Sequence, residues 1–218
     1  MFFNDPKLTT IKGLEDFKTL NVTNMGGMFS GDSNLESIDL TGWDTSHITD
    51  MSGMFSNDTS LKSVNLSGLN LEKVKNLSTM FLGANNLENI DFSSTKFAPD
   101  SNTNSMFAWG AGNIKSVNLK NAKNVIDDIL RIYARAIKNS NATTADLSDI
   151  NLSPNVTSFN NLFSNMPNIE SIDLTGWDTG NITDMSYMFF NDPKLTTIKG
   201  LEDFNTSNVT NMSNMFAS

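Results

Sequence analysis

The sequence predicts an α/β repeat solenoid in which short parallel strands stack over a continuous apolar core. Three observations carry that prediction. Met-Phe recurs at positions 1, 28, 54, 80, 106, 188 and 215, with Leu162-Phe163 in the same role, a spacing of about 26 residues. Between these pairs every apolar slot is refilled by another apolar residue, while the intervening residues vary among polar types. Within each repeat a Leu-x-x-Ile-x-Leu piece alternates apolar and polar residues, the period of a half-buried strand.

The strands are centred on Ile38/Leu40, Val64/Leu66, Ile90/Phe92, Val117/Leu119, Ala145/Leu147 and Ile172/Leu174. So short a strand cannot bury its apolar face alone, but strands stacked ~4.8 Å apart form a parallel sheet over one core. The return stretch places Ile48, Met51, Met54 and Phe55 at steps near three and four. Those steps predict short helical turns on the outer face, with the sheet on the inner face: a solenoid of leucine-rich-repeat type. The repeats run 1–27, 28–53, 54–79, 80–105, 106–131, 132–161, 162–187 and 188–214, as one solenoid over 1–218. The first and eighth carry an extra residue, and Gly13 and Gly200 are expected to form strand bulges.

Residues 94–161 depart from the pattern. The fifth repeat replaces the usual turn with Ala108-Trp109-Gly110-Ala111-Gly112. A longer helix is expected near 125–138, where Val125, Ile126, Ile129, Leu130, Ile132, Tyr133, Ala136 and Ile137 make an apolar face. Asn124 is its expected N-cap, Asp127 and Asp128 suit its first turn, and Lys138 suits its last.

Residues 1–27 and 188–214 differ only at Lys18/Asn205, Leu20/Ser207, Gly26/Ser213 and Gly27/Asn214. That near-identity suggests recent duplication in a larger array. Solenoids need polar caps, and none is recognisable here, so the sequence reads as a fragment truncated at both ends.

Composition narrows the function. Lys+Arg number 15 against 24 Asp+Glu, a net charge of -9. Nucleic acid and anionic lipid, which call for a basic surface, are disfavoured as partners. No apolar run is long enough to span a membrane, so direct insertion is not expected. There is no cysteine and a single histidine, His47. His47 stands in a slot elsewhere filled by Asn or Lys, so it reads as a polar surface variant. No phosphate loop, nucleophile elbow or zinc-protease motif occurs. Asp39 and Asp91 share the predicted sheet face but lie two strands apart, about 10 Å, with no cleft to desolvate them. No enzyme activity, catalytic residue, metal site or cofactor is expected. The scattered Asp44, Asp50, Asp178 and Asp184 lack the calcium nonapeptide pattern.

The candidates for binding fall in two places. The inner sheet face is expected to carry Lys12, Ser37, Asp39, Thr41, Asn65, Ser67, Asp91, Asn118, Lys120, Asp146, Asp173 and Lys199, either as a solvated surface or as a binding face. The repeat break carries Trp109, Arg131 and Arg135. Trp43 and Trp177 share a slot with Phe17, Leu69 and Phe204 and read as core. Trp109 has no counterpart; it either fills a gap left by the irregular turn or stands exposed as a stacking ring. Arg131 and Arg135, the two arginines of the chain, form either a solvated helix face with one Asp127 pair or a basic spot for a sulfated or sialylated glycan.

The stretch Trp43-Asp44-Thr45-Ser46-His47-Ile48-Thr49-Asp50-Met51-Ser52-Gly53-Met54-Phe55 resembles the signature of BspA-like leucine-rich-repeat surface proteins. Phe204 to Phe216 resembles it as closely. Many repeats of that family carry a cysteine after Met-Phe, and here the area reads Ser30-Gly31-Asp32 or Phe190-Asn191-Asp192. The resemblance implies a non-enzymatic adhesion module on the surface or wall of a bacterium, of Gram-positive, lactic-acid type. Its implied partners are host extracellular-matrix proteins, mucus glycans or other microbes. Two alternatives stand beside it: a structural stalk presenting another domain, and self-association with other copies.

Overall fold

The computed structural model describes residues 2–110, 112–148 and 150–217. It contains two compact units, Met1–Ala122 and Lys123–Ser218. In both, three-residue strands stack in parallel and the chain returns to the next strand after about 26 residues. The fold is a parallel-strand β-solenoid with little helix.

In the first unit, β1 (Ser37–Asp39), β2 (Ser63–Asn65), β4 (Asn89–Asp91) and β6 (Ser116–Asn118) form one ladder with Ile38, Val64, Ile90 and Val117 in register. These four residues point into the core and are buried, as period-two alternation predicts. β3 (Asn70–Leu71) and β5 (Lys96–Phe97) form a second, shorter ladder. Single parallel bridges through Asn24, Asp50, Asn76 and Asn102 form a third. In the second unit, β7 (Thr144–Asp146), β8 (Ser171–Asp173) and β9 (Thr197–Lys199) align Ala145, Ile172 and Ile198. Bridges through Ser158, Asp184 and Asn211 repeat the third ladder there.

The expected helical turns after Ile48 are not formed. The residue before each Met-Phe pair adopts a left-handed backbone, as at Gly27, Gly53, Thr79, Ser105, Asn161 and Tyr187. So does the residue three after Met, as at Asn4, Gly31, Asn57, Gly83, Asn165 and Asn191. Two left-handed residues four positions apart interrupt any right-handed helix. The N–H groups alternate instead. Those of Gly53, Phe55 and Asn57 donate to Ser78, Met80 and Leu82 of the following coil, while that of Ser56 closes a local turn on Gly53. The three-four spacing of apolar residues therefore marks consecutive turns with a buried stripe, and every side of the coil is hydrogen-bonded to the next.

The Met-Phe aromatic rings stack along each unit. Phe2, Phe29, Phe55, Phe81 and Phe107 follow one another at 5.4, 5.7, 5.4 and 5.1 Å between centroids. Phe163, Phe189 and Phe216 do the same in the second unit. Trp43 and Trp177 are core residues, and their indole N–H groups donate to the Leu14 and Leu147 carbonyls at 2.9 and 2.8 Å.

A column of aspartates runs beside the rings. The Asp5 N–H donates to Asp32 Oδ1, and the Asp32 N–H to Asp58 Oδ1, at 2.8 and 2.9 Å. The Met166 N–H meets Asp192 in the same way. Asp32, Asp58 and Asp192 are buried, and their second oxygens have no hydrogen-bond partner among the described residues.

The expected bulges at Gly13 and Gly200 are also absent. Each glycine is left-handed, φ 80° and 83°, and leads into a single 3-10 turn, Leu14–Asp16 or Leu201–Asp203. The extra residue of these repeats is absorbed in that turn, and Gly200 follows β9 rather than interrupting it. α1 spans Asp127–Asn139 and buries Ile129, Leu130, Ile132, Ala136 and Ile137. It starts later than the pattern predicted. Asn124 is not its cap: Ile126 holds that position without a side-chain bond, and Val125 is bridged to Leu152. Among the described residues no helix is long and apolar enough to cross a membrane.

Candidate functional site

Five of the strand-face candidates bond to the corners of the fold. Asp39 Oδ1 accepts the N–H of Thr41, Asn65 that of Ser67, Asp91 that of Ser93, Asn118 that of Lys120 and Asp173 that of Thr175. Each is an Asx turn that ends a strand and starts the corner. The other side-chain atoms reach across coils: the Asn65 amide donates to Asp39 Oδ2, Asn118 to Asp91, and Lys199 pairs with Asp173.

The carboxyl pKa values follow. Partial burial pushes the Asp39 carboxyl up, but the hydroxyl and N–H of Thr41 and the Asn65 amide carry it below the usual range. Burial likewise opposes, and Ser93 and Asn118 outweigh it, at Asp91. The Thr175 hydroxyl and N–H lower Asp173, helped by Lys199. Further Asx corners sit at Asp44, Asn70 and Asp178, and at Asp50, Asn76 and Asp184. They account for a chain so rich in Asn, Asp, Ser and Thr. Lys12 stands in the slot of Asp39, exposed and with no ion pair among the described residues.

The irregular segment is built differently. Trp109 occupies the left-handed slot that holds Asn4, Gly31, Asn57, Gly83, Asn165 and Asn191 in other coils, at φ 56°. A bulky side chain is a rare occupant of that region. Gly110 fixes the geometry beside it: a Cβ there would lie 2.5 Å from the Phe81 carbonyl oxygen and 2.9 Å from the Ala84 nitrogen. With the backbone pinned against the previous coil, the indole projects outward and is 86% exposed. Of the two sequence alternatives for Trp109, the exposed ring is the one observed. Ala111 lies outside the described residues.

Arg131 and Arg135 have different fates. Arg131 pairs through Nε with Asp127 at 2.7 Å and donates to the carbonyls of Asn160 and Ser158 at 3.0 and 3.3 Å. It is a clamp between α1 and the coil beside it. Arg131→Ala is expected to cost about 1–3 kcal/mol, since it leaves two carbonyls and a carboxylate without their partner. Urea unfolding measures it, and Arg131→Lys should recover little because ammonium lacks the planar fork. Arg135 is exposed and makes no ion pair among the described residues.

With this geometry in hand, the relatives can be placed. The model of a family described as "Mycoplasma protein of unknown function, DUF285" matches residues 1–124 and 133–218. The chain belongs to the DUF285 family. The stretch that this DUF285 match skips, 125–132, holds the first turns of α1 and Arg131. No curated protein matches the chain. A chain from the Drosophila Toll–Spatzle complex, a molecular hub in development and innate immunity, is 20% identical with a TM-score of 0.43. That comparison covers 82% of the DUF285 chain and 22% of the other, and is too slight to bear on fold or function.

Proposed function

We propose that the chain is a non-enzymatic adhesion module of a bacterial surface protein, related to the BspA-like leucine-rich-repeat adhesins, binding host matrix protein or mucus glycan from its irregular segment. Trp109 carries this reading. A spacer gains nothing from an indole held open to solvent in a slot that Asn or Gly fills at lower cost. An exposed aromatic ring offers a flat apolar face for stacking, and tryptophan is enriched at binding hot spots.

Trp109→Asn is the test. Asn restores the residue type of Asn57 and Asn165, so the fold is kept and stability rises by about 1 kcal/mol as backbone strain is relieved. Binding to immobilised mucin or fibronectin, read by interferometry, falls at least tenfold. Unchanged binding removes Trp109 from the site. No binding by either protein favours the second reading, a stalk that presents another domain. That reading draws on the Asx ladders, which spend the polar side chains of the regular coils on one another.

A further inference from the structure

Ten of the fifteen cations of this chain make no ion pair among the described residues, and among those ten Arg135 and Lys138 line one groove. Lys62, Lys75, Lys115 and Lys199 each pair with an acid of the neighbouring coil: Glu36, Asp100, Glu88 and Asp173. Arg135 and Lys138 make no ion pair within bonding distance among the described residues. They lie three apart on α1, one turn beyond the Arg131 clamp, so they project from one flank of the helix. That flank borders an open groove of about 230 Å³, closed on its far side by the turn containing Asn161, Leu162 and Ser164. Of the two acids on the helix, Asp127 is taken by Arg131, and Asp128 lies two turns from Arg135 and makes no ion pair among the described residues. Asp192 is buried, with its N–H partner Met166 in the groove wall, and the nearby charge of Lys138 opposes the rise that burial gives its carboxyl. Two unpaired cations therefore face one cleft on a chain whose net charge is -9.

We propose that this groove is an oxyanion subsite for a sulfated polysaccharide, with Arg135 and Lys138 as its ligands. A planar guanidinium meets a sulfate through two parallel N–H bonds, and an adjacent ammonium adds a point charge. An acidic peptide fits less well. Capture of a peptide by strand addition uses a free backbone edge, and here the N–H groups of Phe163 and Asn165 already donate to Met188 and Phe190. Recognition is left to side chains, which suits an anion carried on a sugar.

The proposal rests on the reading of the chain as a glycan-binding module, and its test separates the two. The full chain is assayed against immobilised heparin, hyaluronan and polyglutamate, beside the double variant Arg135→Gln, Lys138→Gln. A second double variant, Lys62→Gln, Lys115→Gln, removes two paired cations elsewhere. Arg135 and Lys138 are exposed, so melting temperature should not move. The expected result is saturable heparin binding that weakens between about 50 and 200 mM salt. It falls at least tenfold in the groove variant and holds in the other. Heparin binding that is absent, that survives the groove variant or that falls equally in both variants overturns the proposal. So does equal binding of polyglutamate or of unsulfated hyaluronan. Trp109→Asn should leave heparin binding intact. Heparin binding with no mucin or fibronectin binding sinks the Trp109 reading alone, and the reverse sinks the groove alone.

Discussion

Phe55→Ala should destabilise the first unit by about 3–5 kcal/mol. Phe55 is fully buried and stacks between Phe29 at 5.7 Å and Phe81 at 5.4 Å. Removing it deletes the transfer energy of a ring, two aromatic contacts of about 0.5–1.5 kcal/mol each, and the support of both neighbours. Backbone bonds on every side of the coil hold the cavity open, because the coil cannot collapse without breaking them. Stability in a solenoid is a sum of coil and interface terms, so a weak middle interface also uncouples what lies on either side. Urea unfolding followed by tryptophan fluorescence reads both effects: Trp43 lies 6.5 Å from Phe29. The midpoint should fall and the transition broaden. Phe2→Ala, at the end of the stack with one ring neighbour, should cost less than half as much. Equal losses at both positions would show that the column does not act as a stack.

What the sequence made legible was set by repetition. A slot refilled by apolar residues in every repeat can only be interior, which identified the strands, the Met-Phe column and the Trp43 slot without an alignment. Periodicity failed where two structures share a period. Ile48, Met51, Met54 and Phe55 satisfy a helical stripe, yet the same residues serve a run of turns. The distinguishing signal was present in Gly27 and Gly53 before Met-Phe and in Gly31, Asn57 and Gly83 after it, residue types that accept a left-handed backbone. Read in that register, Trp109 falls in a turn slot and not in a gap. The bonding of the strand-face candidates was hidden for a related reason. Asp39, Asn65, Asp91 and Asn118 alternate outward as binding residues would, but each is followed two residues on by the N–H it accepts. Nothing in spacing alone distinguished Arg131 from Arg135. Their difference depends on which of them meets the Ser158 and Asn160 carbonyls.

Asp58→Asn should stabilise the first unit at pH 8 and leave it almost unchanged at pH 4. Burial pushes the Asp58 carboxyl up to about 7, and the like charge of Asp32 adds to it against the N–H bond from Asp32 and the nearby N–H of Gly31. Asp32 itself is raised, chiefly by burial. In the unfolded chain an aspartate titrates near 3.9. Between these values the folded state binds a proton that the unfolded state has released, so stability falls as pH rises from about 4 to 7. The stabilisation is fully present below the unfolded value and gone above the folded one, a swing on the order of 3 kcal/mol. Asp39, Asp91 and Asp173 work in the opposite sense: their lowered values add stability above about 4 that is lost as pH falls further. Stability should therefore peak in mild acid. Asn keeps an oxygen for the Asp32 N–H and carries no charge at any pH, so it removes the alkaline decline. Asp192, pushed by burial to about 6 with relief from the Met166 N–H and Lys138, should give the second unit a smaller decline of the same sign. Urea midpoints across pH 4 to 9 decide the matter. A variant whose stability declines with pH as steeply as the parent would place the titrating group elsewhere than the aspartate column.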